Sequence, residues 1–135
     1  MSDHAESFIE LARRDLAAAR LLQVSDPGNA GFHLQQAAEK LTKAVLNIAH
    51  IPVALTHQIG ALAAMLPDDH PLRADLAAFD RFSSFGTSTR YPLPGGGMPR
   101  LPSANMLAEG IADVQNLVDE IDGLRRANAA PRPKP

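Results

Sequence analysis

Eleven prolines cut this chain into short segments, and each segment long enough to fold on itself carries helical rather than strand periodicity. They stand at 27, 52, 67 and 71, then at 92, 94, 99 and 102, then at 131, 133 and 135. Proline lacks an amide hydrogen and clashes with the preceding turn, so it opens or ends helices. The apolar fraction is 45% but the aromatic fraction only 4%, with no tryptophan. Alanine and leucine make up most of that apolar set, which favours close-packed helices over a β-sandwich. These features predict an all-α fold: an antiparallel, up-and-down bundle of four to five helices over residues 1–126. A Pro-rich tail, 127–135, is expected to be disordered.

A length of 135 residues suits one domain with a self-sufficient core. The absence of cysteine excludes a disulfide scaffold, thiolate metal sites and a cysteine nucleophile. The net charge of −2 provides no global basic field, so any contact with nucleic acid has to be local. The N-terminal Met1-Ser2-Asp3-His4-Ala5-Glu6 lacks the basic and apolar regions of a secretory signal. No apolar run approaches the roughly 18 residues of a membrane span. A cytoplasmic protein is expected.

The first helix is expected over about 3–23, with Asp3 as N-cap and Glu6 completing a capping box. Phe8, Leu11, Ala12, Leu16, Ala19 and Leu22 share its apolar face, and Asp15 projects into that face. The second is expected over about 30–49, with Leu34, Ala37, Ala38, Leu41, Ala44, Val45 and Ile48 on one arc. Beside this arc His33, Gln36, Lys40, Lys43 and Asn47 fall within about 80° of the helical wheel. Phe32 and Leu46 border this polar stripe on its other side, an unusual setting for a simple solvent face. A short third helix is expected over 57–66 behind Thr56, and a fourth opens near Pro71. Residues 84–102, with four prolines and a glycine triplet, form a long loop. In the last helix, about 103–126, Leu107, Ile111, Val114, Val118 and Ile121 follow a 4-3-4-3 packing seam.

Two common chemistries are absent from the pattern. None of the five histidines follows an acid by three residues or pairs with another at His-x-x-x-His spacing, so no metal site or cofactor is expected. Gly95-Gly96-Gly97 has neither the preceding strand nor the Gly-Lys-Ser/Thr ending of a phosphate-binding loop. The combination that can carry chemistry is Asp15 on the first helix, the His33, Gln36, Glu39, Lys40 and Lys43 cluster on the second, Thr56-His57, and Ser88-Thr89-Arg90-Tyr91-Pro92 in the long loop. A carboxylate set among apolar residues has to find a cation or several donors. Lys40 or Arg90 is the natural partner of Asp15, and a purely structural ion pair is the competing account.

Asp15-Leu16, the string from His33 through Gln35-Gln36-Ala37-Ala38-Glu39-Lys40, Lys43-Ala44, Thr56-His57 and Arg90-Tyr91-Pro92 together resemble the HEPN family, the higher eukaryotes and prokaryotes nucleotide-binding domains. The resemblance runs from about residue 5 to 121. It implies a helical bundle that forms homodimers. The family includes metal-independent ribonucleases that act as toxins in toxin–antitoxin pairs, non-catalytic partners of small nucleotidyltransferases, and nucleotide-binding modules. Its ribonucleases carry an arginine followed, after four to six residues, by a histidine near the last helix. Counted from Arg90 that histidine would fall at 95, 96 or 97, and all three are glycine. Losing an acid–base group costs typically 10²–10⁴-fold in rate.

The expectation is therefore a binding module, for a nucleotide or nucleic-acid phosphate or for a minimal nucleotidyltransferase partner. The candidate ligand-binding residues are Arg90, Tyr91, Lys40, Lys43, Gln36, His33, His57 and Asp15. An endoribonuclease that pairs Arg90 with a non-standard histidine, His57 or His33, is the alternative, and a purely structural interaction module is a third.

Overall fold

The structure is a computed structural model that describes residues 3–86 and 90–129. Among these residues the fold is entirely helical, with α1 Asp3–Leu22, α2 Pro27–Ile48, α3 Ile59–Ala63, α4 Arg73–Ala78 and α5 Ala104–Ala129. A 3-10 helix, Phe79–Gly86, continues α4. Three helices are long and two are short, so the expected fourth main helix is one α-turn prolonged by a 3-10 run. Phe79, Phe82 and Phe85 recur every three residues there and bury on one side. A three-residue repeat is the period of a 3-10 helix.

α2 opens earlier than its apolar pattern indicated. Asp26 is the N-cap, its carboxylate accepting from the Asn29 backbone N–H at 3.3 Å and from Asn29 Nδ2 at 2.6 Å, with Pro27 in the first turn. Thr56 accepts from the Gln58 N–H at 3.2 Å but does not cap α3, whose N-cap is Gln58. Ser103 does cap α5, its Oγ accepting from the Met106 N–H at 3.1 Å. α5 runs on to Ala129, past the expected boundary at 126. The rest of the expected tail, 130–135, lies outside the described residues, as do the Asp3 side chain and residues 87–89, which include Ser88 and Thr89.

α1 and α2, joined by four residues, pack side by side, and α5 lies against both. Glu6 pairs with Arg125, Arg13 with Asp122 and Arg20 with Gln115, so α5 runs antiparallel to α1. α2 is the central element. Besides the expected arc, Gly31, Gln35, Glu39, Thr42 and Leu46 on its other side are buried. Thr42 satisfies its hydroxyl by donating to the Ala38 carbonyl at 2.8 Å. Leu11, expected on the inner face of α1, is exposed, and Ala5 and Ile9 are buried there instead. Ile48, expected on the arc of α2, is also exposed. All five seam positions of α5 are buried.

α5 comes close to α2 and the 3-10 helix at Gly110. A Cβ there would stand 2.6 Å from Leu34 Cδ2 and 2.8 Å from Phe82 Cε1. Gly110→Ala is expected to destabilise the fold by about 2 kcal/mol, the usual scale of overpacking. Urea denaturation checks this. An unchanged midpoint would mean that α5 has room to shift away from α2.

Candidate functional site

The candidate residues gather along one side of α2, in two charged networks and a stacked cation. Residues 33, 36, 40 and 43 stand one turn apart on this helix, so the helix itself sets their order. In the first network the Asp15 carboxylate accepts from Lys40 Nζ at 2.5 Å and from His33 Nδ1 at 2.9 Å. Lys40 is thus the partner of Asp15, and His33 is a second donor. Arg90 takes a different place. Its guanidinium lies over the Phe32 ring at 4.2 Å. The His33 ring meets the same phenyl edge-on, with centroids 5.3 Å apart. Phe32 therefore links the loop cation to the first network, a role that its position on the wheel did not indicate.

The second network centres on Glu39. Its carboxylate accepts from Gln35 Nε2 at 3.0 Å, Lys43 Nζ at 2.9 Å and His57 Nδ1 at 3.1 Å. Gln36 donates to Gln35 Oε1 at 2.8 Å and so joins this network. Burial pushes the Glu39 carboxyl up. The bonds from Lys43, His57 and Gln35, with the charge of Lys43, outweigh it and hold the group below the usual carboxylate range. Asn47, the last residue of the stripe, keeps a buried Oδ1 with no partner among the described residues.

Beside Arg90 a groove of about 570 Å³ opens between the start of α2 and the loop that precedes α5. Asp26, Asn29, Arg90, Tyr91, Met98 and Leu101 are among its lining residues. Tyr91 is 66% exposed, and Leu93, Met98 and Leu101 are exposed with it. The loop folds back on itself where the Leu93 N–H donates to the Gly97 carbonyl at 3.0 Å and the Gly96 N–H to the Leu93 carbonyl at 2.8 Å. Gly95, Gly96 and Gly97 have φ of 97°, 99° and 94°, a conformation that side chains rarely adopt. Pro102 then anchors the loop, seated against Gly31 of α2.

The HEPN domain model matches residues 5–127, nearly the whole chain. The chain belongs to the HEPN domain family. The crystal structure of TT1696 from Thermus thermophilus is similar to this HEPN domain, with a TM-score of 0.73, 28% identity, and coverage of 90% of this chain and 98% of the other. The structure of ST0689, an archaeal HEPN homologue, has a TM-score of 0.65 at 25% identity and covers 89% and 96% of the two chains. No curated protein matches this chain significantly. No helix among the described residues of this HEPN domain is long and apolar enough to cross a membrane. No group of acids and histidines suited to a metal ion occurs among them either.

The HEPN stripe divides as follows. Asp15, His33 and Lys40 meet in one network, and Gln36, Lys43 and His57 in the other, while Arg90 and Tyr91 belong to the groove. Gln35 and Phe32 are the residues that sequence reasoning passed over. Both stand beside stripe positions, and only the segments folded onto α2 show what they touch. A Cβ at Gly86 would lie 3.3 Å from the Gln35 amide, so the end of the 3-10 helix forms the roof over this part of α2.

Proposed function

We propose that this HEPN domain is a binding module that holds the phosphate of a nucleotide or of single-stranded nucleic acid on Arg90. One observation carries the reading. Arg90 is a loop cation braced on an aromatic ring at 4.2 Å, beside an open groove, and it meets no carboxylate among the described residues. A guanidinium held this way keeps its planar fork for two phosphate oxygens and loses little freedom on binding. Tyr91, Met98 and Leu101 give the groove an apolar side on which a base can rest. Lys40 and Lys43 are neutralised by Asp15 and Glu39, so they add local polarity rather than free charge. Isothermal titration with ATP, GTP and a short single-stranded RNA tests the reading. Saturable binding that Arg90→Ala removes supports it, and binding indifferent to Arg90 rejects it.

A protein partner is a second reading. Leu93, Met98, Leu101 and Met106 are exposed near one another in sequence, and such side chains suit burial against another surface. The partner would be a second copy of this chain or a minimal nucleotidyltransferase, in a toxin–antitoxin arrangement within the cytoplasm. The endoribonuclease reading rests on a different contact, the shared Phe32 ring that brings His33 and Arg90 to one place. RNA incubated with the protein in EDTA, with Arg90→Ala and His33→Ala as controls, checks it. Cleavage that survives both substitutions would exclude that pair.

A further inference from the structure

Glu39 and His57 form a couple that the phosphate-binding reading leaves unused. Glu39 is 3% exposed, whereas the side chain of its partner His57 is 86% exposed. An exposed ring adds little packing, and for the fold the pairing does no more than supply one of the three side-chain hydrogen bonds to the buried Glu39 carboxylate. It does fix the chemistry of the ring. Glu39 is held in its ionised form by Gln35, Lys43 and His57. An ionised carboxylate only accepts hydrogen bonds, so Nδ1 carries a proton, and in the neutral form of the ring the lone pair resides on Nε2. With Nδ1 tied inward, Nε2 is the outward nitrogen. Lys43 Nζ bonds the same Glu39 oxygen as the ring does, at 2.9 Å against 3.1 Å, so an ammonium group stands beside the imidazole.

We propose that His57 Nε2 is a nucleophile that accepts a phosphoryl group, making this surface a modification site. The Nε2 lone pair attacks phosphorus and forms the N–P bond. The bond from phosphorus to the donor's leaving oxygen breaks, and its electron pair departs with that oxygen. The Nδ1 proton stays on the ring, which becomes cationic. The Glu39 carboxylate at 3.1 Å stabilises that developing charge. An acyl group would instead require aimed N–H donors for a single oxyanion. The donor is an acyl phosphate or a nucleoside triphosphate.

The test uses the full chain, incubated separately with acetyl phosphate and with ATP. Intact mass counts the phosphoryl groups, and phosphorus NMR with peptide mapping locates them. The internal control is His50, an exposed histidine with no carboxylate partner among the described residues. Label on His57 at least about tenfold faster than on His50, from either donor, is the expected result. The arm that labels identifies the source. In His57→Asn the fast label disappears, and in Glu39→Gln the rate at position 57 falls to that of His50. Equal rates at His57 and His50 with both donors overturn the proposal without any variant. So does an undiminished rate in a Glu39→Gln protein whose circular dichroism shows it folded.

Discussion

Glu39→Ala is expected to lower the unfolding free energy by about 3 kcal/mol, the scale of breaking one side of a buried ion pair. The reason is what the substitution leaves behind. Lys43 keeps a buried ammonium without its counter-charge, and Gln35 loses the acceptor of its amide. His57, at the surface, turns to water at little cost. Urea denaturation reads the change, and a loss under about 1 kcal/mol would show that Lys43 re-solvates freely. The same network sets a pH dependence. Glu39 titrates lower in the folded chain than in the unfolded one. Its stabilisation is therefore complete above the ordinary glutamate value of about 4.3 and is lost as pH falls through the depressed folded value. Denaturation midpoints measured from pH 7 down to the acid limb should fall more steeply in wild type than in Glu39→Gln. Parallel curves would assign the acid loss to other carboxylates.

Arg90→Ala is the second large effect, on binding rather than on stability. Arg90 is exposed and its side chain rests on the Phe32 ring, so the fold should keep its midpoint within about 0.5 kcal/mol. Affinity for ATP or single-stranded RNA should fall by about 10- to 100-fold, since a charge-assisted bidentate contact is worth roughly 1.5–3 kcal/mol. Lysine at the same position restores charge but neither the fork nor the stack, so Arg90→Lys should recover only part of the loss. For RNA, the slope of log K against log salt should drop by about 0.7, one phosphate contact on a single strand. Binding and salt slope unchanged in Arg90→Ala would place the anion elsewhere on the molecule.

Much of the fold can be read in the chain because its signals are local. The 4-3-4-3 seam from Leu107 to Ile121 is buried at every position. Asp15 betrays itself as an acid on an apolar face, and Lys40 is indeed its partner. The misplaced details share a cause. Helical periodicity assigns a residue to a face but not what covers that face. α2 is covered nearly all round, so Gln35, Glu39 and Leu46 bury on a side that carries no apolar arc. The roof over them is built from the 3-10 helix some fifty residues away in sequence, near the polar stretch that ends in Gly86. Arg90 on Phe32 is equally non-local, joining the loop before α5 to α2.

That central position of α2 also bears on hydrogen exchange. A helix enclosed on most sides sheds its amide protons only when the whole domain opens. His33, Lys40 and Lys43 thus sit on a backbone with no independent local melting, and an arriving ligand has no segment to freeze there. Its binding should slow exchange across all of α2 by one common factor, rather than protect a few amides near the groove.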